Sequence, residues 1–182
     1  MSLIVLTGPG KSGKSTSLRQ SLSQVALSCS GFMTERRMTD DGMGFALIPI
    51  SSGAADAETF MSISAKGVSF DYDHFRTRVQ ASCRDTALVV CDELGGLELL
   101  DDAFYERFLA RVSGPQPHLV VFKSQQNLEK LLRKSALTAA AKELLFERRA
   151  ALLAVADSFL STEEAGDLVL RLKPLLSAIG ET

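Results

Sequence analysis

Three short and almost uninterrupted apolar runs stand out in the pattern of hydrophobic and polar positions. A continuous apolar run of strand length is typical of a parallel strand that is buried on both faces. The runs lie at residues 3–7, 87–91 and 118–122. Between them the apolar spacing is helical, as in Phe104, Phe108 and Val112, which share one helix face. Strands that alternate with helices predict an α/β fold with a mainly parallel sheet.

Helices are expected over residues 14–28, 71–84, 101–112 and 127–149, the last with a break near Ser135. Residues 150–160 fit the end of a helix and a last strand equally well. Ser161-x-x-Glu164 is a capping-box pattern that predicts a final helix ending near residue 178. Because the sequence contains no repeat or linker, we expect a single domain over residues 1–182.

A β-hairpin is predicted directly after the first helix. Extended segments over residues 31–38 and 45–50 flank Thr39-Asp40-Asp41-Gly42, whose residue types favour a tight turn. Residues 51–67, which are rich in Ser, Ala and Gly, are predicted to form a mobile loop.

The first predicted strand leads into Gly8-Pro9-Gly10-Lys11-Ser12-Gly13-Lys14-Ser15, an unbroken G-x-x-x-x-G-K-[ST] pattern. Strand, glycine-rich loop and helix in this order are the setting of a phosphate-binding loop. Backbone N–H groups at the start of a helix, together with the helix dipole, attract phosphate oxygens. We therefore predict that this loop, up to Thr16, binds the phosphates of a nucleotide.

Single residues of the loop have separate predicted roles. Gly8 and Gly13 permit backbone angles and a close approach that a Cβ would obstruct. Lys14 can reach the β- and γ-phosphates, and the Ser15 hydroxyl can ligate Mg²⁺. Lys11 either touches phosphate or faces solvent.

An acidic pair, Asp92-Glu93, directly follows the apolar run at 87–91. This position is the carboxyl end of a parallel strand, where open α/β proteins bind ligands. Asp92 is predicted to hold Mg²⁺, either directly or through water. Glu93 points in a different direction and is the candidate for polarising an attacking water.

Four motifs in fixed order resemble the THEP-type nucleoside-triphosphatase family, which includes the cancer-related nucleoside-triphosphatase of animals. They are the phosphate loop, Gly31-Phe32-Met33-Thr34-Glu35, Gly42 with Gly44-Phe45, and Asp92-Glu93-Leu94-Gly95-Gly96-Leu97-Glu98-Leu99. The family shows a "GFYTEE"-like hairpin and a "DEIGKMEL"-like acidic motif in these places. The likeness covers about residues 3–125.

The resemblance implies a three-layer P-loop fold with a RecA-like, additional-strand sheet. It also implies slow Mg²⁺-dependent hydrolysis of ATP, GTP and other nucleoside triphosphates. Carried onto this sequence, the family pattern gives phosphate binding to residues 8–16, Mg²⁺ to Ser15 and Asp92, and catalysis to Glu93 and Lys14. The family usually has Gly where Lys11 stands and Lys-Met where Gly96-Leu97 stand.

Charge and composition narrow the possible partners. A net charge of −2 does not indicate a general affinity for nucleic acid or for an anionic membrane. We interpret Arg36-Arg37 and Arg148-Arg149 as solvated faces, with the alternative that one of these arginines contacts phosphate. Apolar stretches fall short of the roughly 18 residues of a membrane helix, and no signal peptide is expected before the first strand. The three cysteines form no C-x-x-C and suit a reducing, cytoplasmic compartment.

Two other functions stay open. The loop also resembles the "GPMFSGKS" loop of zinc-containing thymidine kinases, but the sequence has no paired cysteines for their zinc-bound lid. The second alternative is a nucleotide-dependent switch with an unidentified protein partner, since P-loop hydrolysis often waits for an arginine supplied in trans. Candidates for an arginine in cis are Arg107, Arg111 and Arg133. Ser124 and Gln125 are candidates for sensing the γ-phosphate.

Overall fold

Eight strands form one sheet in the computed structural model, which describes residues 3–10, 12–24, 26–50, 58–161, 174 and 176–179. The strands are β1 (Leu3–Thr7), β2 (Cys29–Thr39), β3 (Gly42–Pro49), β4 (Thr59–Ser64), β5 (Gly67–Phe70), β6 (Leu88–Leu94), β7 (His118–Phe122) and β8 (Ser158–Ser161). Their order across the sheet is β5-β4-β3-β2-β6-β7-β1-β8.

The sheet has a parallel part and an antiparallel part. The neighbours among β2, β6, β7, β1 and β8 are parallel, whereas β3, β4 and β5 extend the sheet from β2 in antiparallel fashion. β7 lies between β1, which leads into the glycine-rich loop, and β6, which carries the acidic pair. A strand inserted at this place is the additional strand of a RecA-like sheet. That prediction and the predicted hairpin, formed by β2 and β3, are confirmed.

Helices cover both faces of the sheet, as the three-layer prediction requires. They are α1 (Lys14–Leu22), α2 (Tyr72–Ser82), α3 (Asp102–Val112), α4 (Gln125–Lys134) and α5 (Ala139–Ala154), with a 3-10 helix at Leu97–Leu100. Along β1, Leu3 and Val5 face the core shared with α2 to α5, while Ile4 and Leu6 face the core shared with α1. Helical residues 176–179 pack on the same face as α1. This alternation explains why the strands read as continuous apolar runs.

Helix starts follow their capping residues. The side chains of Asp71, Asp101, Ser124 and Thr138 each accept a hydrogen bond from a backbone N–H in the first turn of α2, α3, α4 and α5. Such caps satisfy donors that have no partner within the helix. The first helix was predicted to reach residue 28 but ends at Leu22. Ser28 instead lies beside β6, where its carbonyl accepts a hydrogen bond, 3.2 Å long, from the backbone N–H of Leu88.

The loop predicted at 51–67 is partly wrong. Residues 59–64 form β4, and Phe60 and Met61 of that strand are buried. The Phe60 ring packs 5.1 Å from the ring of Phe75 on α2, so tertiary burial overrides a local composition that is rich in small residues. Residues 51–57 lie outside the described residues.

The ambiguous segment at 150–160 contains both expected elements, since α5 ends at Ala154 and β8 begins at Ser158. The predicted break near Ser135 is confirmed between α4 and α5. Glu164 of the capping-box pattern lies outside the described residues, so that pattern stays a prediction. Among the described residues, each helix is too short or too polar to cross a membrane.

Candidate active site

The carboxyl ends of the central parallel strands open onto a cleft of about 430 Å³. Most of the predicted site residues line it, and the sheet brings them together from β1, α1 and β6. The lining residues are Gly10, Ser12, Gly13, Lys14, Ser15, Thr16, Thr34, Arg36, Phe45, Asp92, Glu93, Val121 and Asn127. Gly8 and Pro9 lie in the same loop and face Lys14 through their carbonyl oxygens. Lys11 lies outside the described residues.

Two glycines give the loop its shape. Gly8 and Gly13 have φ angles of 146° and 83°, in the region that side chains with a Cβ rarely adopt. Gly13 is the N-cap residue of α1, and a Cβ there would meet nothing within 4 Å. Glycine at 13 is therefore required by the backbone angle and not by lack of space. The loop turns directly into the N-terminus of α1, where backbone donors are available to an anion.

The ammonium of Lys14 is held inside the loop. Its Nζ donates to the carbonyl oxygens of Gly8 at 3.0 Å and Pro9 at 2.7 Å, and approaches Ser12 Oγ at 3.4 Å. The residue is 8% exposed. Burial lowers the pKa of Lys14, although Glu93 and Asp92 partly offset this by favouring the charged form. A cation that is paired with neutral carbonyls and close to two carboxylates is well placed to meet an incoming phosphate.

Asp92 is a buried carboxylate with unused bonding capacity. It is 2% exposed, and its Oδ2 has no hydrogen-bond partner among the described residues. Desolvation raises the pKa of Asp92 to about 6, with a smaller rise from Glu93, while a hydrogen bond from Ser15 opposes the shift. A buried, unpaired carboxylate oxygen beside a hydroxyl fits a hard cation such as Mg²⁺, which prefers oxygen ligands. Ser15 and Asp92 are thus the residues that could hold this ion.

Glu93 follows Asp92 but has different partners. Its backbone N–H donates to Thr34 Oγ1 at 3.1 Å, which ties β6 to β2. Its Oε2 lies 2.6 Å from Nζ of Lys123, the residue that follows β7. The side chains of Glu93 and Lys123 are 23% and 12% exposed, so this ion pair is largely shielded from solvent. The carboxylate predicted to act on water is therefore held by a cation.

Buried polar groups stiffen the segment after Glu93. Glu98 accepts hydrogen bonds from the backbone N–H groups of Gly95 at 2.6 Å and Gly96 at 2.7 Å. From α5, Arg149 donates to the carbonyl oxygen of Gly95 and, at 2.8 Å, to that of Lys123. Its guanidinium also lies 4.5 Å from the centre of the Phe122 ring. One side chain thus connects the segments that follow β6 and β7.

The interpretation of the arginine pairs as solvated faces is wrong in part. Arg149 is 6% exposed, and Arg148 donates to the carbonyl oxygen of Leu99 at 2.7 Å. Arg36 is exposed, but it lines the cleft and lies 5.7 Å from the centre of the Phe45 ring. Arg37 is half-buried and pairs with Glu35 at 2.7 Å, so the interpretation fits Arg36 and Arg37 better than the second pair.

Other candidate residues lie in different places. Arg107 donates to Gln80 and Arg111 to the Cys83 carbonyl, and neither side chain lines the cleft. Ser124 caps α4 and Gln125 donates to Glu129. Sequence reasoning missed Thr34, Lys123 and Asn127 as cleft residues or their partners. A polar residue at the end of β7 was expected, but the residue that contacts Glu93 is one position earlier than those chosen.

Comparison with known proteins agrees with this arrangement. Residues 3–153 match the protein family described as NTPase. The fold is similar to the crystal structure of THEP1 from the hyperthermophile Aquifex aeolicus, with a TM-score of 0.62 and 16% sequence identity over 96% of this chain and 98% of that one. None of the curated proteins compared with the sequence matches it.

Proposed function

This chain belongs to the NTPase family, and on that premise we propose that it hydrolyses nucleoside 5′-triphosphates, with Mg²⁺, to the diphosphate and phosphate. The observation that carries the proposal is the position of Asp92 and Glu93. They lie at the end of β6 and line the same cleft as the phosphate loop. Asp92 offers an unpaired oxygen there, and Glu93 offers a carboxylate to water.

Phosphate binding is assigned to the loop of residues 8–16. The backbone N–H groups at the start of α1 bind phosphate oxygens, and Lys14 exchanges its carbonyl partners for the β- and γ-phosphates. These contacts are common to all nucleoside triphosphates. Recognition of phosphate by backbone groups therefore supports a broad substrate range, covering ATP, GTP and others.

Ser15 and Asp92 are the proposed residues for Mg²⁺, since their oxygens are adjacent and one is buried without a partner. When bound, the ion neutralises charge that develops on the phosphate oxygens. The remaining chemistry is assigned to side chains of the chain itself. Lys14 stabilises the negative charge on the transferred group and orients it.

Glu93 is the proposed general base. It accepts a proton from water as the water oxygen bonds to the γ-phosphorus. The bond from that phosphorus to the bridging oxygen breaks, and its electron pair leaves with the nucleoside diphosphate. An ammonium occupies one oxygen of this carboxylate, since Glu93 Oε2 lies 2.6 Å from Nζ of Lys123, which leaves a single oxygen for the proton of water. This constraint supports slow turnover.

We also propose that a single domain of residues 1–182 carries this activity and that it works in the cytoplasm. Its strands join into one sheet, which supports the first point. Cys29, Cys83 and Cys91 are free thiols in the structure, and a reducing compartment keeps thiols in that form.

The test is phosphate release from ATP, GTP, CTP and UTP, measured with Mg²⁺ and again after chelation. Glu93→Gln keeps the size and hydrogen-bonding shape of the side chain but removes the base. We expect turnover to fall by about 10² to 10⁴ while nucleotide affinity stays unchanged. The matched control is Glu106→Gln on the exposed face of α3, which should leave turnover unaltered.

Unchanged turnover in Glu93→Gln would contradict the assignment of the base. Tight nucleotide binding with no phosphate release from any of the four substrates would contradict the hydrolase itself. It would instead favour a kinase that lacks its acceptor or a switch that lacks its partner.

A further inference from the structure

A second cavity, of about 440 Å³, adjoins the nucleotide cleft. It lies between β3 and β4 on one side and α4 on the other. Four residues line both spaces: Arg36, Phe45, Glu93 and Asn127. We call it the α4 cavity. Its size is within the range of roughly 300–1,000 Å³ that is usual for small-molecule sites.

The α4 cavity is strongly cationic. Lys130, Arg133 and Lys134 project from α4 towards it, and Arg36 and Lys123 line it from β2 and from the end of β7. Among the described residues, the three cations of α4 form no ion pair with a carboxylate. Of the lining residues that the structure describes, Glu93 alone is acidic, and Lys123 pairs with it.

Helix stability does not account for this charge. Arg133 and Lys134 lie in the last turn of α4, where cations interact favourably with the helix dipole. Lys130 lies before that turn, and Lys123 is outside the helix. Among the described lining residues five cations face one carboxylate, and this excess of positive charge around a concave space attracts an anion.

The opposite wall of the cavity is apolar. Met43 and Phe45 on β3 and Met61 and Ile63 on β4 face it, while Leu131 adds an apolar contact from the side of α4. A cationic side that faces an apolar wall fits a ligand with a phosphate at one end and a planar or apolar body at the other. Phosphate esters of small ring-containing molecules have this form.

We propose that the α4 cavity binds a small phosphate ester of the nucleoside monophosphate type, and that this ligand activates hydrolysis by drawing Lys123 away from Glu93. The second half of this inference rests on the proposed function. Lys123 lines the cavity and holds the catalytic carboxylate at 2.6 Å, so one ammonium is available to two anions. An added phosphate competes for it, and both oxygens of Glu93 are then available to the proton of water.

Binding is tested first, independently of turnover. The nucleotide cleft is saturated with a non-hydrolysable ATP analogue and Mg²⁺, and 5′-AMP or inorganic phosphate is then titrated by calorimetry. We expect AMP to bind with 1:1 stoichiometry and more tightly than inorganic phosphate, because phosphate makes no use of the apolar wall. Lys130→Glu combined with Arg133→Glu should weaken AMP binding at least tenfold.

The matched control reverses two cations that do not line the cavity, Arg84 and Lys142, to glutamate. It should bind AMP as the unaltered protein does. Absence of AMP binding to the saturated protein, or equal weakening in the control, would overturn the site.

Activation is tested by phosphate release from ATP. AMP should raise the turnover number of the unaltered protein severalfold at saturating ATP. Lys123→Met, which cannot pair with Glu93, should have raised basal turnover and no further response to AMP. Basal hydrolysis that AMP does not change would overturn the activation while leaving the proposed function intact. Formation of ADP from AMP in equal amount to ATP consumed would also overturn it, because the ligand would then be a phosphoryl acceptor.

Discussion

Lys14 is a cation with neutral partners, and this has a measurable effect. Two backbone carbonyls hold its ammonium inside the loop, where burial lowers its pKa. Keeping the Lys14 ammonium charged inside the loop costs free energy, and binding of the phosphates of a nucleotide can offset that cost. We therefore expect Lys14 to contribute to nucleotide binding and not to the stability of the free protein, unlike a structural lysine.

Lys14→Met should weaken binding of a non-hydrolysable ATP analogue by roughly 10- to 100-fold, the loss of one charge-assisted contact. The melting temperature of the nucleotide-free protein should change little, because removing the desolvated ammonium offsets the loss of a donor for the Gly8 and Pro9 carbonyls. Calorimetry and thermal unfolding measure the two effects. Lys142→Met on α5 is the control and should change neither. A clear loss of stability in Lys14→Met would show that the lysine mainly supports the fold.

At the scale of single residues, the sequence alone predicts those site residues that are neighbours along the chain. The loop and the Asp92-Glu93 pair are contiguous, and each has a pattern of its own. Lys123 and Arg149 act through contacts between residues distant in sequence, and neither has a local pattern that distinguishes it from a surface cation. Arg149 in particular was interpreted as solvated, although it is almost fully buried. The roles of the contiguous residues remain predictions for the experiments above.

At the scale of single elements, the start and the packing of a helix can depend on one residue at its end, as in α3. Asp101 Oδ1 accepts a hydrogen bond from the Phe104 N–H at 3.2 Å, and Oδ2 pairs with Arg76 of α2 at 2.5 Å. The Asp101 side chain is 8% exposed, so the ion pair is shielded. One carboxylate thus starts α3 and fixes it against α2.

Asp101→Ala should lower the free energy of unfolding by about 1–2 kcal/mol or more, since it removes both the cap and the pair. Asp101→Asn keeps a capping oxygen and loses only the charge, so its loss should be smaller. Urea unfolding of both variants measures the difference. Equal losses would mean that the ion pair, and not the cap, holds the helix start.

Element prediction succeeded where the pattern was strong and failed where burial came from distant partners. The strand at 118–122 and the helix at 101–112 combine apolar spacing with clear ends, and the structure has them almost unchanged. β4 was missed because Ser and Ala surround Phe60 and Met61 in the sequence. Its place is set by pairing with β3 and by the Phe75 ring on α2, neither of which is local.

On the scale of the whole molecule, α5 reaches across the fold to the active site. Arg149 joins this helix to the carbonyls of Gly95 and Lys123 and packs on Phe122. Burial lowers the pKa of Arg149, while Glu98 and Glu93 oppose the shift. The helix thereby holds in register the two strand ends that carry Glu93 and Lys123.

Arg149→Leu should reduce the free energy of unfolding by about 1–3 kcal/mol, because it leaves the buried carbonyl of Gly95 and the partly buried carbonyl of Lys123 without this donor. It should also lower the turnover number for ATP while the KM changes little, since the phosphate loop is not touched. Arg148→Leu is the control. It removes a contact to Leu99 and the stacking on Tyr105, and should affect stability but not turnover.

The overall topology could be predicted because the order of motifs matched a family with an additional-strand sheet. The antiparallel extension by β4 and β5 could not, since it has no such motif. That extension supplies Met61 and Ile63 to the α4 cavity. The antiparallel extension, which the sequence does not predict, therefore supplies part of the wall of the α4 cavity.

Gly96 has a consequence for how this protein and its relatives diverge. A Cβ at position 96 would lie 3.0 Å from Cε of Lys123 and 3.0 Å from Oε2 of Glu98. The THEP-type pattern has a lysine where Gly96 stands, so that side chain and Lys123 compete for the same volume. We expect the two positions to covary across the family, with a lysine at one and a residue other than lysine at the other. Evolution would then have moved a single positive charge from one strand end to the next while keeping it beside Glu93, the proposed general base.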